Sequence, residues 1–162
     1  MRSRIEVAGH ALHPMLVVFP LGLLTTSVAW DICRLATGRI SWGLISFWTI
    51  VAGVIGALLA AVPGFIDWLG IPQGTRAKKI GLYHMIINLT VVGLFFISLI
   101  ARATNATGYA AVGFGRMFWG WLGVLLALVS GWLGGELVEQ LGIGVHTEAN
   151  ANAPSSLTER EV

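Results

Sequence analysis

The sequence predicts an all-α integral membrane protein, an up-down bundle of four helices, and three observations carry that prediction. Hydrophobic residues make up 56% of the 162-residue chain and charged residues only 11%, where a soluble domain normally carries about 25% charge. Mean hydropathy is +0.79. The apolar residues also gather into four runs of about twenty, the length a helix needs to cross a bilayer.

The chain divides into a lead-in over residues 1–12, a four-helix domain over 13–146 and a tail over 147–162. The lead-in is polar to mixed, with Arg2, Arg4, Glu6 and His10. The first span is expected over 14–34. Proline fits the first turn of a helix, so Pro14 opens it, and His13, just before a proline, is left at the cap. Pro20 removes a backbone bond inside the span and is expected to kink it. No small-residue cleavage site clearly follows this run, so a retained helix is expected rather than a cleaved signal.

The second span is expected over 41–63, with Trp42 and Trp48 as interfacial anchors. Gly53 with Ala57, and Gly56 with Ala60, give small residues at i, i+4 for close helix contact. Pro63-Gly64-Phe65-Ile66-Asp67-Trp68 reads as its exit. The third span, 80–102, holds the most informative residues. His84 lies five positions past Lys79, roughly 7–8 Å deeper than the lysine at the water boundary. Asn88 follows one turn on, so both polar groups share a helical face. The fourth span, 117–138, carries Gly123, Ala127, Gly131 and Gly135 along one face and ends in Gly134-Gly135-Glu136-Leu137-Val138-Glu139. The tail, rich in Ala, Asn and Ser, is expected to be disordered. No internal repeat is expected.

Several function classes are disfavoured. The net charge of +2 is scattered over short loops, without the basic patch or stripe that nucleic acid requires. The single cysteine, Cys33, excludes an intramolecular disulfide and a cysteine-rich metal site. No nucleophile–base pair, phosphate loop or soluble catalytic domain is evident, which argues against a self-contained hydrolase and leaves open whether the chain is an enzyme.

Four spans place both termini on one side of the membrane. Arg2, Arg4, Arg76, Lys78 and Lys79 fall on that side, and Arg34, Arg39, Arg102 and Arg116 on the other. The five-to-four excess of Lys and Arg predicts cytoplasmic termini, and the expected setting is a plasma (inner) membrane.

Odd spans start, and even spans end, on the terminal side. His13, Asp67, His84, Asn88 and Glu136 therefore share one half of the membrane, one or more from each helix, while Asp31 and Arg34 mark the far half. Polar groups at that depth are costly unless they meet a partner, a cavity or a ligand.

Each has a plain structural reading. His13 caps a helix, His84 and Asn88 tie helices together, Asp67 caps its loop or pairs with Arg76 or Lys78, and Glu136 reaches the interface beside Glu139. Three sharper readings compete. His13 and His84 bind one haem iron from two helices, with Arg76, Lys78 and Lys79 at the level of its propionates and Asn88 beside the site. Alternatively His13, His84, Asp67 and Glu136 hold a bare metal ion. In the third reading the same groups form a proton or ion path.

The ordered set His13-Pro14, Phe19-Pro20, Pro63-Gly64-Phe65-Ile66-Asp67-Trp68, His84 with Asn88, and Gly131-Trp132-Leu133-Gly134-Gly135-Glu136-Leu137-Val138 with Gly142-Ile143-Gly144-Val145 resembles the domain of unknown function 2231 family. The resemblance covers roughly residues 10–146. It implies a four-helix membrane protein, and the joining of some relatives to redox-type domains such as cytochrome c implies a link to electron transfer. No Cys-x-x-Cys-His attachment motif occurs, so a haem here is expected to be non-covalent.

The preferred expectation is a membrane redox subunit with one b-type haem, in the lipid bilayer with redox partner proteins or further copies of itself. Its axial ligands would lie on helices in diagonal positions, with Gly64, Gly81 and Gly135 giving room beside the ring. The alternative is a structural or accessory membrane protein.

Overall fold

The computed structural model describes residues 1–105 and 108–157. Among these are four helices long and apolar enough to cross a membrane: α1 (Leu12–Thr37), α2 (Ile40–Gly70), α3 (Arg76–Ala103) and α4 (Phe114–Gly135). A π-helical turn, Glu136–Gln140, prolongs α4. The protein is an all-α, multi-pass membrane bundle.

The helices outrun the expected spans at most ends, for local reasons. α1 takes in His13, which sits in the first turn rather than at the cap, because Ala11 adopts the extended conformation instead. It stops at Gly38, whose φ of 70° is left-handed and whose N–H returns to the Arg34 carbonyl. α2 does not end at Pro63. It runs on to Gly70 with the proline inside, so Asp67 lies within the last turns of the helix and not in a loop. Thr75 caps α3 by accepting the Lys78 N–H on its hydroxyl at 3.1 Å. That starts α3 four residues before the apolar run and carries Arg76, Lys78 and Lys79 on the helix.

Before α1, the strands β1 (Glu6–Val7) and β2 (His10–Ala11) form a small antiparallel hairpin. Its two turn residues, Ala8 and Gly9, both have positive φ, as a two-residue hairpin turn demands. The segment from 147 to 157 forms turns without helix or strand. Ser156 Oγ in it donates to the Ala8 carbonyl, and just before it His146 Nε2 lies 3.2 Å from the Gly9 carbonyl. The expected disorder of residues 158–162 lies outside the described residues.

α1 packs closely along α2 and α3 along α4, while α2 meets α3, and α1 meets α4, more lightly. The bundle is thus two helical hairpins, with α1 and α3 diagonal to each other as expected. The hairpins also repeat each other, where no internal repeat was expected. A shift of 71 residues carries the buried Pro20, Leu24, Ser27 and Asp31 of α1 onto the buried Val91, Phe95, Ser98 and Arg102 of α3. A shift of 70 carries Gly53-Val54-Ile55-Gly56-Ala57-Leu58 of α2 onto Gly123-Val124-Leu125-Leu126-Ala127-Leu128 of α4. Packing repeats with it: Gly53 makes room for Leu24, and Gly123 makes room for Phe95. Because α1 and α3 start on the same side, the two halves are related by a pseudo-twofold axis along the membrane normal, the arrangement of parallel repeats.

The apolar centre is Leu24, Ile50, Val54, Val91 and Phe95. Beyond it, toward the far end, lies a buried polar cluster. Arg102 binds Asp31 through two bonds, at 2.9 and 2.6 Å, and Ser46 donates to the same carboxylate at 2.6 Å. Both charges are essentially inaccessible. Arg102, expected to mark the water boundary, is instead folded into the bundle.

Candidate functional site: two imidazoles between the hairpins

His13 and His84 lie at equivalent places in the two hairpins, and each is held in the same way. His13 Nδ1 is 2.8 Å from the Ala60 carbonyl of α2, and His84 Nδ1 is 2.9 Å from the Ser130 carbonyl of α4. A carbonyl can only accept, so Nδ1 carries the hydrogen in both rings, and in neutral imidazole Nε2 is left with the lone pair. One turn beyond each carbonyl is a glycine that makes space for the ring. A Cβ on Gly64 would lie 2.7 Å from His13 Nδ1, and one on Gly134 would lie 3.2 Å from His84 Cε1. The ring centroids are 6.4 Å apart, with planes at 89°.

The two rings differ in one respect. Asn88 Nδ2 lies 3.0 Å from His84 Nε2. Since that nitrogen bears the lone pair, Asn88 donates to it. At the position equivalent to Asn88 the first hairpin has Val17.

Both rings line a cavity of about 410 Å³ between the hairpins. Its wall is mostly apolar and is again built in pairs: Ala57 with Ala127, Pro20 with Val91, Pro14 with Met85. Gly64 and Gly134 cradle the imidazoles themselves. Gly81 also lines the cavity while accommodating Trp68, and a Cβ on Gly135 would meet nothing.

The carboxylates of the same end are engaged elsewhere. Asp67 lines the cavity, but Ser3 Oγ and the Arg4 N–H bind its oxygens at 2.8 and 2.6 Å. Its partners are in the lead-in, not Arg76 or Lys78. Glu136 pairs with Arg76 at 2.5 Å rather than standing beside Glu139 at the interface. Lys78 is buried, donates to the Trp68 carbonyl at 2.7 Å and lies over the Trp68 ring. Lys79 is exposed. His13, His84 and Asn88 are therefore brought together, whereas Asp67 is bound by the lead-in, Glu136 by Arg76, and Lys78 by the Trp68 carbonyl. Among the described residues no group of three or more His, Cys, Asp or Glu is placed to hold a metal ion.

Four apolar spans that share one polar end define an integral membrane bundle with its site between two hairpins. A family model described as "Predicted membrane protein (DUF2231)" matches residues 9–147, and the chain belongs to that family. No curated protein and no solved structure matches it.

Proposed function

We propose that this protein is a membrane redox subunit that carries one non-covalent b-type haem, with His13 and His84 as the axial ligands. The observation that carries the reading is the matched pair of imidazoles. Each donates Nδ1–H to a main-chain carbonyl of its partner helix, the outer bond that orients a metal-binding histidine and raises the basicity of its other nitrogen. Proximity adds support: both rings line one cavity, with their centroids 6.4 Å apart.

Bound haem would supply one-electron chemistry. The residues of this chain would hold the two lone pairs, exclude water with the apolar wall, and release His84 Nε2 by turning Asn88 aside. The setting in this reading is the plasma membrane, with both termini cytoplasmic.

The test is the visible spectrum of protein purified after expression with haem available, oxidised and dithionite-reduced, beside His13→Ala and His84→Ala. Bands that both substitutions abolish are expected. A colourless wild type ends the reading, and bands that survive both substitutions refute the ligands.

A second reading has one observation in its favour. Both nitrogens of His84 already have protein partners, Ser130 and Asn88, as in a residue that only ties α3 to α4. The protein is then a structural or accessory membrane protein. Metal-ion and proton-path readings draw less support, because Asp67 and Glu136 are held by other groups.

A further inference from the structure

The cavity between the hairpins is not confined to the terminal mouth. From His13 to Thr25 it follows α1 for about 18 Å, well into the thickness of the bilayer. Its wall also reaches residues that face outward. On the seam between α1 and α4 these include Leu21 and Val138, and on the seam between α2 and α3 they include Leu58, Phe65 and Leu89. Each of these residues is between 43 and 55% exposed. In a membrane that exposure is to lipid.

Both seams are the lightly packed ones, and small residues stand at corresponding places on them: Ala61 on α2 and Gly131 on α4, where a Cβ would meet nothing. At the terminal mouth the lead-in and the segment after α4 contribute Ala11, Ile143 and Gly144 to the wall, and the Ser3 and Arg4 bonds to Asp67 and the His146 contact with Gly9 tie those segments in place.

We propose that the ligand of the two-imidazole site is a flat, lipid-soluble molecule taken up sideways from the bilayer through the seams, and gripped from its two faces by equivalent surfaces of the two hairpins. The inference rests on the reading of His13 and His84 as the ligand-holding pair. A flat molecule suits the geometry because the two jaws are continuous helix pairs, whereas the gaps between them run along the membrane normal. Haem fits this class, as a planar macrocycle that partitions into lipid.

The experiment uses the full chain in lipid vesicles and a lipid-soluble aryl diazirine, photolysed and mapped by mass spectrometry. Pro20 and Val91 are buried and line the cavity, one on each jaw, whereas Ile50 and Phe95 are buried and do not line it. Label is expected at Pro20 and Val91 and not at Ile50 or Phe95. In the double variant Ala61→Trp with Gly131→Trp, which fills the seams, labelling at Pro20 and Val91 should be lost while the lipid-facing Phe19 and Leu128 label as before. Unlabelled Pro20 and Val91 beside normally labelled Phe19 and Leu128 overturn the proposal. So does labelling that persists in the double variant, which would mean access by another route. Added hemin then separates the two readings: if it protects Pro20 and Val91, haem is the occupant, and if it does not, sideways uptake stands and the haem assignment falls.

Discussion

Asp31 and Arg102 occupy equivalent positions in the two hairpins and close on each other through two hydrogen bonds, at 2.9 and 2.6 Å, with Ser46 and Trp121 around the carboxylate. A strictly repeated bundle would set two like residues against each other there. Opposite charges let the first hairpin recognise the second and disfavour a pairing of two identical halves.

Removing either charge leaves the other buried and unpaired, which costs about 3–5 kcal/mol. Asp31→Ala and Arg102→Ala should each lower the thermal midpoint in detergent sharply. The exchange Asp31→Arg with Arg102→Asp should recover part of that loss, because the positions correspond. Equal damage in the exchanged and single variants would show that the surrounding serines and Trp121, rather than the pair, set the stability.

The glycines behind the imidazoles yield a graded expectation. Gly64→Ala sets a methyl 2.7 Å from His13 Nδ1, and Gly134→Ala sets one 3.2 Å from His84 Cε1. Crowding of this kind typically costs about 1–3 kcal/mol. Gly64→Ala should therefore be the more harmful, both to stability and to any haem spectrum, with Gly134→Ala close to wild type. The order is checked by melting curves and absorbance of the two variants side by side.

His84→Asn separates the structural from the ligand role. As a tie between helices, His84 contributes about 0.6 kcal/mol and at most about 2, and Asn keeps a hydrogen-bonding group. A ligand role predicts loss of the cofactor and of the stability that binding adds. Unchanged melting and unchanged cofactor content would dispose of the ligand role.

Topology rests on a narrow margin. Lys78 and Arg102 are both buried, so each side loses one marker, and Arg2, Arg4, Arg76 and Lys79 stand against Arg34, Arg39 and Arg116. The excess still favours cytoplasmic termini. Reporter fusions at Gly38 should then read as non-cytoplasmic, and a cytoplasmic signal at Gly38 reverses the orientation.

The spans were legible because apolar runs and flanking charges need no tertiary knowledge. Their ends were less so: Pro63 looked like a stop, but the helix continues, since a backbone at membrane depth must keep its hydrogen bonds. The meeting of His13 and His84 in one half of the membrane followed from counting spans. The destinations of Asp67, Glu136 and Lys78 did not, because each depends on a side chain or carbonyl from another element. Arg102 was misplaced for the same reason: next to a loop, an arginine reads as a boundary unless its buried partner is known. The repeat was present in the letters, as Gly-Val-x-x-Ala-Leu in α2 and α4 and as His13 and His84 at the same spacing. It was hidden because the corresponding core residues are similar in burial more often than in identity, as with Leu24 and Phe95.

The turn between α1 and α2 is only Gly38-Arg39, so the first two spans can enter the membrane together during synthesis. At that moment Asp31 has no Arg102, since its partner has yet to be translated. A carboxylate in a newly inserted helix is costly, and the half-made protein carries that cost until the third span arrives. Emergence of α3 thus completes the first hairpin as much as it begins the second.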